Sequence, residues 1–178
     1  MFFKLISIDN FEIIQNDLIK YAQNTFKENK RDAAPIKLDD LKSISPELID
    51  WLEQNDLQLD VARFMMTPAN STIAIHVDGQ LPEFPKFLAL NLPLINCTDS
   101  HMVWWDNVEV VETKQFNEYG GKIRLFDSPN KKIISKLELT DPYMVRVDVP
   151  HSVDNTDNNN PRVILSLRFS PEPLHLWN

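Results

Sequence analysis

The chain has 178 residues, of which 43% are hydrophobic and 25% charged, a balance that suits one globular domain with a sizeable core rather than a disordered chain. Its net charge of −8 argues against a nucleic-acid partner, because such partners are held by cationic surface that displaces counterions. A single cysteine, Cys97, excludes an internal disulfide framework and a cysteine-rich zinc site, and three glycines are too few for a P-loop or a Rossmann phosphate turn.

The N-terminus, MFFKLISIDNFEI, carries no apolar run long enough for a signal peptide or a membrane span, so a soluble, cytoplasmic protein without membrane association is expected. Phe11, Ile14, Leu18 and Tyr21 recur at helical spacing behind Asp9, a candidate N-cap. Residues 29–40 are charged, contain Pro35 and read as a connecting loop. Ser45-Pro46-Glu47-Leu48 opens a second helix, with Ser45 as cap, Pro46 in the first turn and Leu48, Ile49 and Leu52 as apolar contacts.

After residue 57 the period changes. Residues 57–64 alternate apolar and polar side chains, and 71–76, 87–95, 101–105, 108–111, 122–126, 132–139, 143–149 and 162–169 also read as short strands. Turn clusters such as Thr67-Pro68-Ala69-Asn70 and Ser128-Pro129-Asn130 separate them, and the asparagine-rich stretch 155–160 reads as a loop tip. This is a mainly β chain with N-terminal helices, of the antiparallel sandwich or barrel type. It is read as one domain, 1–178, with 1–56 as helical support and 57–171 as the β core. No G-x-S-x-G is present, which sets aside an α/β-hydrolase.

The chemistry concentrates in His76-Val77-Asp78, His151 and Arg162. Residues two apart on a strand share a face, so His76 and Asp78 point the same way near a strand end that Gly79 terminates. Two ligands on one rigid element, with a third from His151 just after the strand 143–149, make half of a coordination sphere. The other half stays open, as non-haem Fe(II) chemistry requires.

The segments Ile75-His76-Val77-Asp78-Gly79, Val149-Pro150-His151-Ser152-Val153 and Pro161-Arg162-Val163-Ile164-Leu165-Ser166 resemble the Fe(II)/2-oxoglutarate-dependent oxygenases. The resemblance is to small, single-domain members related to the aspartyl/asparaginyl β-hydroxylases, and it covers roughly residues 57–171. It implies a double-stranded β-helix, a cupin-like jelly-roll with the metal at one mouth. It further implies His76, Asp78 and His151 as ligands of Fe(II), with 2-oxoglutarate and O2 as co-substrates. The far carboxylate of 2-oxoglutarate would pair with an arginine, whose planar fork matches a carboxylate. Some aspartyl β-hydroxylases lack the acidic ligand; this sequence has it, as Asp78.

Residues 162, 164, 166 and 168 share a face, so periodicity alone does not choose between Arg162 and Arg168. The spacing from His151 resembles the family for Arg162, which leaves Arg168 as a substrate contact or an ion-pair partner. Asn91, a polar residue in an apolar strand, is a candidate contact to the 2-oxoglutarate carboxylate or a backbone partner. His101 and Trp104 are candidates for the pocket wall, with one of Trp104 and Trp105 expected inward and the other outward. Arg63 is expected at the surface, Cys97 as a small apolar residue and His175 exposed. The substrate is expected to be a small molecule or a peptide side chain, and the oligomeric state is left open. The rival reading is a non-catalytic jelly-roll that binds or supports and retains a metal site.

Overall fold

The computed structural model describes residues 1–28, 32–78, 87–115 and 122–177. In chain order its elements are β1 (Phe3–Leu5), α1 (Phe11–Glu28), β2 (Ala33–Ile36), α2 (Leu38–Ile44), α3 (Pro46–Gln54), β3 (Leu59–Thr67), β4 (Ser71–Val77), β5 (Leu88–Ile95), β6 (His101–Asp106), β7 (Glu109–Gln115), β8 (Lys122–Asp127), β9 (Lys132–Glu138), β10 (Tyr143–Arg146), β11 (His151–Asn155), β12 (Arg162–Phe169) and α4 (Leu174–Trp177). The described strands form two six-stranded sheets, ordered β1-β10-β5-β12-β3-β2 and β7-β8-β4-β11-β6-β9. Every strand pairing is antiparallel.

The near-continuous apolar run of β5 reflects a strand buried on both faces. Leu88, Leu90, Leu92 and Leu94 share one core with Val163, Leu165, Leu167 and Phe169 of β12 and with Ile14, Leu18, Leu48 and Leu52 of the helices. On the other face, Ala89 of β5 and Ile164 of β12 pack with Met102, Trp104 and Leu137 of the second sheet. The first sheet is therefore a middle layer, with helices on one side and the second sheet on the other. Alternation along β12 turns Arg162, Ser166 and Arg168 to the inter-sheet side with Ile164.

Several local expectations need correction. Helix α1 opens on Asn10 rather than Asp9, since Ile13 N and Ile14 N donate to the Asn10 carbonyl. Ser45 precedes α3 as expected, but its side chain makes no cap bond and its Oγ is buried without a partner. The loop expected over 29–40 instead carries β2 and the start of α2, and residues 29–31 lie outside the described residues. Pro35 is tolerated because β2 is an edge strand. The turn expected at Gly79 also lies outside the described residues.

One difference matters for the site. The strand expected over 143–149 stops at Arg146 in the first sheet, and a further strand, β11, begins at His151 in the second. Pro150, which has no N–H to give a ladder, stands between them. This change of sheet carries His151 to β4, where it pairs in register with His76.

The asparagine-rich stretch is not a bare loop tip. Asn155 is fully buried, and its Nδ2 donates to Pro68 O at 2.8 Å and Asn160 O at 3.1 Å. Asn158 Nδ2 donates to Asn96 O at 2.8 Å and Thr98 O at 3.0 Å, and Asn70 N donates to Asn158 O at 3.0 Å. Three turns are thus tied together just before Arg162. Among the described residues, no helix is long and apolar enough to cross a membrane.

Candidate metal centre

His76, near the end of β4, and Asp78, just past it, face the start of β11. Candidate ligand atoms of His76, Asp78 and His151 all lie within 4.8 Å of one another. Asp78 Oδ1 is 3.2 Å from His76 Nε2 and 3.9 Å from His151 Nε2. The imidazole centroids are 4.4 Å apart. His76 is 9% exposed and His151 3%, so neither ring is a surface histidine.

Each imidazole is aimed by its own backbone. His76 Nδ1 is 2.8 Å from Ala74 O, and His151 Nδ1 is 2.8 Å from Val149 O. A carbonyl accepts only, so each Nδ1 carries the proton and each Nε2 is directed at the shared centre. Metal-binding histidines are oriented in this way. Asp78 is pinned as well: its N–H donates to Val147 O at 3.1 Å, and Arg168 Nη2 donates to its Oδ2. Oδ1 is left facing the two rings. Two nitrogens and one carboxylate oxygen, converging at this range, fit a divalent first-row metal.

The charge states agree with a ligand set. Burial opposes ionisation of Asp78, but Arg168, His76 and His151 outweigh it and hold the carboxyl well below its ordinary range. Burial and the neighbouring His76 push His151 down to about 4, so it is neutral at pH 7. Burial also pulls His76 down, but the bond to Asp78 and the charge of Asp78 raise it on balance. His76 Nε2, 3.2 Å from Asp78 Oδ1, is where a proton and a metal would compete.

No protein-family model matches the sequence, and no curated protein matches it. Solved structures do. HygX from Streptomyces hygroscopicus, with nickel and 2-oxoglutarate bound, superimposes with a TM-score of 0.52 at 9% identity, over 94% of this chain and 81% of that one. The same protein with iron bound gives 0.50 at 10% identity, over 94% and 81%. A prolyl-4-hydroxylase from Pseudomonas putida gives 0.50 at 13% identity, over 94% and 87%. One of these neighbours thus holds iron, or nickel with 2-oxoglutarate, and the other is a prolyl hydroxylase. This chain shares its fold with these proteins.

Within that fold, the remaining candidates separate by strand parity. Arg168 joins the triad through Asp78. Arg162 sits at the opposite end of β12, six residues or about 20 Å from Arg168 along the strand. It is 3% exposed, its Nε has no partner, and its charge acts on the Cys97 thiol. Burial outweighs the pull of the guanidinium and raises that thiol, and Cys97 packs in the core as a small buried residue. Asn91 is 6% exposed and its Oδ1 is buried without a partner. It stands in register with Ser166 on one side and Tyr143 on the other.

Trp104 is fully buried and pairs in register with His151, but its Nε1 donates to Arg146 O at 2.9 Å and Phe2 and Phe3 pack on its ring. Its one donor is spoken for, which leaves it a wall without a polar contact to offer. His101, an odd number of residues away, falls on the opposite face from Trp104 and Met102, against Asp154 and Glu138 of the flanking strands. It does not line the inter-sheet space. Trp105 is half-buried on that outer side, its Nε1 2.8 Å from Ser152 Oγ. His175 is exposed, with Nε2 3.0 Å from Asn55 O.

Arg63, expected at the surface, is partly exposed. It pairs in register with Ser166, and its charge is felt by Arg168. Ala62 and Phe64 are the apolar partners that alternation assigns to the helix side of β3.

Proposed function

We propose that this chain is an Fe(II)- and 2-oxoglutarate-dependent dioxygenase whose two sheets form a double-stranded β-helix, and that it hydroxylates a small molecule or a peptide side chain. The observation that carries the proposal is the convergence of two backbone-aimed imidazoles and one arginine-held carboxylate between the sheets. His76, Asp78 and His151 would hold the metal. Iron with 2-oxoglutarate and O2 supplies the oxidising power for C–H hydroxylation, with succinate and CO2 as co-products.

The chain's own residues have separable tasks. His151, neutral at pH 7, offers Nε2 without first losing a proton. Arg162 is the favoured anchor for the far carboxylate of 2-oxoglutarate. Among the described residues it has no carboxylate partner, and a buried cation without a counter-charge is costly, so a bound dicarboxylate would satisfy it. Its side chain would have to lean along the strand toward the triad. Arg168 is a weaker anchor candidate because Asp78 already occupies it. Asn91 offers a buried amide at a level between the two arginines. Trp104 and the core around Val145 and Val147 exclude water from the side of His151.

The test is succinate formation from 2-oxoglutarate by the Fe(II)-loaded protein, alone and across a panel of amino acids, peptides and small metabolites. Metal-dependent succinate, stimulated by one member of the panel, is the expected result. A protein that binds the metal but yields no succinate with any of them, and binds no 2-oxoglutarate, would instead be a non-catalytic jelly-roll.

A further inference from the structure

The two oxygens of Asp78 face different partners. Oδ1 points at the imidazoles, 3.2 Å from His76 Nε2, while Oδ2 accepts from Arg168 Nη2. The partners belong to different sheets: β4 leads to Asp78 in the second, and Arg168 lies near the end of β12 in the first. A carboxylate at the end of a strand turns easily about its last torsion, and can bind a metal through one oxygen or both. A guanidinium on one oxygen removes that freedom.

We propose that Arg168 is a positioning residue that fixes Asp78 as a one-oxygen metal ligand. Bidentate binding would use a coordination position that a chelating co-substrate and O2 need, so holding Oδ2 away keeps the open half of the sphere open. Three observations support the assignment. Arg168 is an arginine at a place where a planar fork can grip one oxygen directionally, which a lysine's point charge does not. Its side chain is half-buried, with Nη1 buried and without a partner, so the pair is partly withdrawn from solvent. Asp78 is held from the other side by its own N–H on Val147 O, which leaves the carboxylate torsion as the freedom Arg168 restrains. Glu172 and Arg63 are the other charges acting on Arg168, of opposite sign to each other.

The inference rests on the metal reading of the triad, and Co(II) alone is the probe that separates the two. Co(II) is titrated under anaerobic conditions into wild type, Arg168→Met, Arg168→Lys, Asp78→Ala and the Asp78→Ala/Arg168→Met double variant. Affinity and the visible absorption of bound Co(II), which responds to coordination number and geometry, are both read. Arg168→Met is expected to weaken binding by about 10–100-fold, as outer partners of metal ligands do, and to change the Co(II) spectrum. Arg168→Lys should recover part of the affinity. In the Asp78→Ala background, Arg168→Met should cost nothing more.

An Arg168→Met protein with wild-type affinity and spectrum would overturn the inference, as would an equal loss with and without Asp78. Should Arg168→Met not fold, an unchanged spectrum in Arg168→Lys overturns it. Failure of wild type to bind Co(II) would overturn the metal reading, and this inference with it.

Discussion

Replacing Arg162 by methionine should move stability and co-substrate affinity in opposite directions. The guanidinium is 3% exposed, its Nε is unpartnered, and its polar neighbour is a thiol that burial keeps neutral. Replacing a buried charge by an apolar side chain of similar stem is worth about 1–4 kcal/mol where the charge is poorly compensated. In a chain of this size, each kcal/mol moves Tm by about 2–4 °C. The variant without 2-oxoglutarate should therefore melt higher than wild type by at least a few degrees. Its affinity should fall, since removing one partner of a buried charge pair costs about 2–5 kcal/mol, which is roughly 30- to 4,000-fold in Kd. Thermal unfolding of the ligand-free protein and calorimetric titration of 2-oxoglutarate into the anaerobic Fe(II) form measure the two. A variant that melts lower than wild type and binds 2-oxoglutarate within threefold of it would refute the argument that Arg162 is held in reserve for a carboxylate.

Asn155→Ala takes from Asn160 O its side-chain donor and leaves Pro68 O with Ser71 Oγ alone, and should cost about 1–3 kcal/mol, read as a Tm lower by roughly 2–10 °C with Co(II) affinity unchanged. Metal affinity should rise with pH: His76 holds its proton more tightly than a free histidine, so a metal must displace it, and below that pKa affinity falls about tenfold per pH unit. His151, pushed down to about 4, adds no competition between pH 5 and pH 8. A Co(II) titration series across that range that shows no slope would contradict the assignment of His76 as a ligand.

The sequence made the His76 and Asp78 pair legible because it sits where periodicity is informative. His76 and Asp78 share a strand face by a two-residue spacing, and the strands around them were readable to within a few residues. β11 was not readable: His-Ser-Val-Asp-Asn has no apolar alternation and follows a proline, and only its pairing to β4 and β6 makes it a strand. β2 was hidden by Pro35, which an edge position excuses. The opposite faces of His101 and Trp104 could have been foreseen from their three-residue separation. The Arg168–Asp78 bond could not, because it joins residues 90 positions apart on two sheets whose approach no local pattern encodes. The same holds for the stapling by Asn155 and Asn158, which in sequence look like any polar turn.

The proposed chemistry requires that the triad bind Fe(II) together with 2-oxoglutarate. Anaerobic addition of both to the purified protein should produce a visible metal-to-ligand charge-transfer band, absent with either alone and lost in His76→Ala. No band in wild type, or a band that survives in His76→Ala, would contradict it.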